Sequence, residues 1–65
     1  MERLIKLKEV MDRVGLSRSG IYRLMDQGKF PIQVKLSERS AAWVSSEVDE
    51  WVCDRITVSR LEGNR

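Results

Sequence analysis

In the stretch GLSRSGIYRLMDQGKFP, residues 15–31, a helical projection puts Arg18, Ser19, Tyr22 and Arg23 on one side and Ile21, Leu24 and Met25 on the other. The polar side offers two guanidiniums, a hydroxyl and a phenol. Such a set suits recognition of a polyanion. An arginine presents a forked pair of donors that matches guanine O6 and N7. Ser19 can bond a phosphate or a base, and Tyr22 can bond a phosphate or pack on a sugar. Lys29 follows just past the helix, and Lys35 and Arg39 lie on the segment beyond it. Lys29 and Lys35 are expected to be phosphate contacts, which orient a duplex without specifying its sequence. Arg39 has two readings: insertion into a narrow A·T minor groove, or an ordinary solvated turn. Gly20 also has two. It could let the helix backbone approach a groove wall, or it could merely be tolerated in the first turn, where the usual penalty of about 1 kcal/mol against alanine is reduced.

Other chemistries find few residues to work with. The 65-residue chain has no histidine and one cysteine, so the commonest general base is missing and a zinc site within the chain is not expected. Asp49 and Glu50 are adjacent carboxylates, but neighbours on a helix point apart. A chain this short buries only about 60% of its unfolded surface, which leaves little room for an enclosed active site. The expectation is a non-enzyme with no cofactor and no bound metal. No apolar run approaches the roughly 20 residues of a membrane span, and no signal-peptide pattern stands at the N-terminus. The lone Cys53 is expected to flank a buried helical stripe, in a chain that reads as intracellular.

Net charge is only +2, but it is unevenly spread. Residues 13–39 carry six basic side chains against two acidic ones, whereas residues 40–54 carry four acidic and none basic. A basic middle beside an acidic segment implies two electrostatic faces, the basic one suited to a polyanion.

These residues need elements to position them. RLIKL (3–7) reads as a short strand. Leu7, Val10, Met11 and Val14 recur at helical spacing, which predicts a helix over about 7–14, poorly capped at Lys6 and ended by Gly15 in the left-handed conformation. Leu16 is expected to point back into the core. Ser17 caps a second helix over about 18–27, which Gly28 stops and Pro31 keeps from resuming. QVKLS (33–37) alternates like a half-buried strand. A polar turn over 37–40 carries Glu38 and Arg39, and AAWVS (41–45) returns with Trp43 inward. Ser45 or Ser46 is expected to cap a third helix whose apolar stripe is Val48, Trp51, Val52 and Ile56, ending near 59–61. Both tryptophans read as core. One domain over 1–60 with a flexible tail over 61–65 follows.

Two helices at a tight turn, then a hairpin and a closing helix, predict a mainly α fold with a small β-hairpin: a winged helix-turn-helix. In such folds the N-terminal residues of the second helix meet base edges in the major groove. The candidate DNA-binding residues are therefore Ser17, Arg18, Ser19, Gly20, Tyr22, Arg23, Lys29, Lys35 and Arg39, and the expected partner is double-stranded DNA. A small interface implies modest affinity for a monomer or weak dimer unless copies cooperate on adjacent sites. The competing reading is a protein-interaction module, in which the acidic 47–54 segment and the chain beyond Ile56 dock a recombinase or an RNA polymerase subunit.

LKEVMDRVGLSRSGIYRLMDQGKFP followed by VKLSERSAAWVSSEVDEWV resembles the AlpA family of short prophage regulatory proteins, related to excisionases and to the DNA-binding domain of MerR-type regulators. The likeness covers about residues 3–60. It rests on Gly15, Leu16, Ser17, Arg18, Ser19, Ile21, Tyr22, Arg23, Gly28, Phe30, Pro31, Trp43, Ser46, Glu47, Val48 and Trp51. It departs at Gly20, where the family often has threonine, and at Ala42, where a basic or larger residue often precedes the tryptophan. The resemblance implies a sequence-specific transcriptional regulator of phage or prophage type, MerR-like or excisionase-like in fold, acting in the bacterial cytoplasm at the nucleoid. An architectural role in excision beside an integrase is the alternative it carries.

Overall fold

A two-residue strand, β1 (Leu4–Ile5), leads almost directly into α1 (Leu7–Val14) in the computed structural model, which describes residues 1–62. Lys6 precedes α1 with extended backbone and gives it no side-chain cap. Gly15 ends it at φ 72°, its amide donating to the Met11 carbonyl at 2.8 Å. That backbone is strained for any residue with a β-carbon.

After Leu16, the Ser17 side chain caps α2 (Arg18–Asp26). The end of α2 closes by a paired motif. The Gly28 amide donates to Met25 O at 3.0 Å and the Lys29 amide to Leu24 O at 2.8 Å, with Gly28 at φ 70°. This geometry satisfies two carbonyls that the helix would otherwise leave open.

The hairpin is β2 (Val34–Ser37) and β3 (Ser40–Val44), joined by a turn at Glu38 and Arg39. The strand β1 joins it, so the sheet is three-stranded and antiparallel in the order β1-β3-β2, with Ile5 opposite Trp43 and Val34 opposite Ala42. The register shifts by a residue between Lys35 and Ser37, as at a β-bulge. The last element, α3 (Ser45–Glu62), starts with no residue between it and β3.

The core is Ile5, Val10, Ile21, Phe30, Trp43 and Val48, with Leu16, Leu24, Met25 and Trp51 packed partly buried against it. Both indoles fasten the segment after α2. Trp43 Nε1 donates to the Pro31 carbonyl at 3.1 Å, and Trp51 Nε1 to the Lys29 carbonyl at 2.8 Å. Phe30 lies between these anchors, edge-on to Trp51 at 4.9 Å. The recognition-type helix and the wing are thus held to each other through residues 29–31.

Four details depart from the sequence reading. The strand β2 is exposed throughout, Val34 and Leu36 included, and it is an outer strand of the sheet that pairs with β3 alone. Neither Ser45 nor Ser46 stands before α3 as a cap, since the helix already begins at Ser45. Instead Ser45 Oγ accepts from Arg13 at 2.8 Å and Ser46 Oγ donates to Glu2 at 2.7 Å, so both hydroxyls tie the helix start to the N-terminal segment. The apolar stripe of α3 is covered only as far as Trp51 and Val52, and Ile56 is 45% exposed. Cys53 is exposed too, because by then the helix is running past the core it packs on. The helix also runs a little longer than expected. Leu61 and Glu62, placed by the sequence in a flexible tail, belong to α3, and residues 63–65 lie outside the described residues.

Candidate nucleic-acid interface

The N-terminus of α2 is built locally. Ser17 has extended backbone and its Oγ accepts from the Gly20 amide at 3.1 Å. Its hydroxyl is therefore engaged in capping, although the residue is exposed. Ser17→Ala should cost about 1 kcal/mol of stability, read as a lowered midpoint in urea unfolding. Ser17→Asp should keep the parent midpoint, because aspartate caps equally well.

Arg18, Ser19 and Arg23 are exposed along α2, and no ion pair involves either arginine among the described residues. Gly20 is half-buried, and a β-carbon added there would meet Ser17 Oγ at 3.5 Å and Leu16 at 3.8 Å, ordinary contact distances. The bare position thus faces the α1–α2 turn, so packing alone would accept alanine.

Tyr22 departs from the fully wet position the projection gave it. It is half-buried, edge-on to Trp43 at 6.3 Å, and its hydroxyl donates to Gln33 Oε1 at 3.4 Å. The Arg18 guanidinium carbon sits 5.6 Å from the centre of the Tyr22 ring. Tyr22 therefore bridges the core and the exposed side of α2, and its ring supports the guanidinium by a cation–π contact.

The structure brings Tyr22, Lys35 and Arg39 together in one open groove between the hairpin and the helices. Lys29 does not line it: that residue lies beyond the other end of α2, exposed, with its backbone held by Trp51 and Leu24. Lys6 and Lys8 do line it, and the sequence reading missed both. The RLIKL run shows a strand but not which strand it pairs with. Pairing it with β3 brings the start of α1 beside the wing.

Arg13, by contrast, belongs to the frame. It donates to Glu9 at 2.8 Å, Ser45 at 2.8 Å and Asp49 at 3.0 Å, linking α1 to α3, while Arg3 reaches Glu9 at 3.3 Å. One of the six cations of the basic middle is thus spent internally, and the apparently neutral N-terminal segment leaves Lys6 and Lys8 with no carboxylate partner among the described residues. No group of three or more potential metal ligands occurs among the described residues, and no helix there is long and apolar enough to cross a membrane.

Comparison with known proteins finds relatives of this chain in a phage and in a bacterium. The chain is 49% identical over 55 residues to the uncharacterized protein ORF88 of Enterobacteria phage P4, a match covering 85% of this chain and 62% of that protein. The chain therefore spans less than two thirds of that relative's length. It is 29% identical over 59 residues to the DNA-binding transcriptional activator AlpA of Escherichia coli (strain K12), covering 82% of this chain and 84% of that one. No solved structure matches the chain. The family model described as Prophage CP4-57 regulatory protein (AlpA) matches residues 3–56, nearly every residue from β1 through the covered part of α3, and the chain belongs to that family.

Proposed function

We propose that this protein is a sequence-specific DNA-binding transcriptional regulator of phage type, with α2 in the major groove and the hairpin on the flanking backbone. The observation that carries the reading is the exposed strip of Arg18, Ser19 and Arg23 at the capped start of α2, beside a cationic hairpin bearing Lys35 and Arg39. Arg18 and Arg23 would meet base edges, Ser19 a base or phosphate, and Lys35 and Arg39 the backbone. Lys29, at the far end of α2, would touch a phosphate on the opposite flank. The AlpA relative of Escherichia coli, named as a DNA-binding transcriptional activator, supports the same reading. Acting on a duplex, the protein would work at the nucleoid in the bacterial cytoplasm, as a monomer or weak dimer with copies cooperating on neighbouring sites.

Salt tests this directly. Neutralising a phosphate makes log affinity fall by about 0.9 per log unit of salt. Phosphate contacts from Lys29, Lys35 and Arg39 predict a slope of about −3 for DNA from the gene's own neighbourhood, measured by fluorescence anisotropy. Binding that ignores salt, or no binding at all, would overturn the proposal. A second reading has one observation in its favour: Ile56, Val58 and Leu61 are exposed on the outer half of α3. That surface would let an integrase-type recombinase or RNA polymerase dock while α2 holds DNA, including in an excisionase-like role.

A further inference from the structure

The groove between the hairpin and the start of α1 goes beyond the helix-and-wing scheme. Its polar lining is Lys6, Lys8, Tyr22, Gln33, Lys35, Glu38, Arg39 and Ser40. Four of these are cations and one, Glu38, is a carboxylate. They come from three separate parts of the fold: the β1–α1 junction, α2 with the segment after it, and the hairpin. Lys6 Nζ donates to Ser40 Oγ, which ties the β1–α1 junction to the far side of the hairpin turn. The ammonium has further N–H donors to offer. Because Lys6 provides no cap, the first amides of α1 keep their partial positive charge, and Leu7 and Lys8 line this same groove. Four cations against one carboxylate, converging from separate elements on an open groove, fit a ribbon of phosphates better than an isolated side chain.

We propose that this groove seats the phosphodiester backbone of one DNA strand, with Lys6 and Lys8 as contacts additional to α2 and the hairpin, and with Glu38 as a counter-charge that limits how tightly any duplex is held. The proposal rests on the DNA-binding reading above. Lys8 is the informative position, because it is exposed and makes no hydrogen bond or ion pair through its side chain among the described residues. Glu38 stands at the turn and is likewise exposed.

The test uses the full chain, a target duplex from the gene's neighbourhood and an unrelated duplex of equal length, with thermal unfolding to verify that each variant is folded. Lys8→Gln should weaken binding to both duplexes by a similar factor, about 3- to 10-fold, and make the salt slope shallower by about 0.9. Glu38→Gln should strengthen binding to both, by about 2- to 5-fold at low salt, because it removes the one repulsive charge. An unchanged slope in Lys8→Gln, or a loss confined to the target duplex, would overturn the groove assignment while DNA binding by the parent stood. Failure of the parent protein to bind either duplex would overturn the underlying reading instead.

Discussion

Trp43→Ala is expected to remove about 3–5 kcal/mol of folding stability, which takes away a large share of what holds the chain folded. Trp43 is 1% exposed and is the largest fully buried side chain. It occupies the central strand, opposite Ile5 of β1, with Tyr22 edge-on and the Pro31 carbonyl accepting its indole N–H. Removing it opens a cavity at the point where β1, the hairpin and α2 meet. It also takes the indole donor from the Pro31 carbonyl and the aromatic backing from Tyr22. A domain of this length has roughly 3–10 kcal/mol in total at the usual 0.05–0.15 kcal/mol per residue, so the loss is a large part of the whole. Urea unfolding followed by circular dichroism is the measurement. Trp51→Ala should be milder because Trp51 is only half-buried. A Trp43→Ala protein within about 1 kcal/mol of the parent would show that the three elements hold without this anchor.

The same contacts explain what a sequence can and cannot reveal. The left-handed Gly15, the Ser17 cap, the Gly28 stop and the inward Trp43 were all legible, because each depends on a residue's own conformational limits or on partners within a few positions. The pairing of β1 with β3 was not. It joins residues about 40 positions apart, and a short alternating run carries no mark of which strand will accept it. The position of Lys6 and Lys8 beside the wing follows from that pairing, so it stayed hidden with it. Periodicity also fixes which face of an element is apolar but not whether anything covers that face. Hence Val34 and Leu36 read as the covered face of a half-buried strand and Ile56 as part of an apolar helical stripe, yet all three lie exposed, as does Cys53. Charge counting failed at Arg13 for a related reason: the tally along the chain cannot see Glu9, Ser45 and Asp49 converging on one guanidinium.

On the proposed binding mode, Arg18→Ala and Arg23→Ala should each weaken binding to the target duplex by about 1–3 kcal/mol, or roughly 5- to 150-fold. Binding to an unrelated duplex should fall much less, because a base-reading contact adds little where the base is wrong. Neither change should disturb folding, since both side chains are exposed and make no ion pair among the described residues. The two positions differ in how firmly the guanidinium is held. Arg18 rests over the Tyr22 ring, and Tyr22 is itself braced by Trp43 and Gln33, so its side chain loses less freedom on binding. Arg18→Lys should therefore rescue poorly, because an ammonium cannot reproduce the planar fork and stacks less well. Among the described residues no aromatic ring backs Arg23, so its guanidinium is held less firmly and Arg23→Lys should recover more of the parent affinity than Arg18→Lys. Anisotropy titrations of the single and double variants at one fixed salt concentration separate these cases. Parent-level affinity in the Arg18→Ala, Arg23→Ala double variant would mean that the exposed strip of α2 is not the surface that reads DNA.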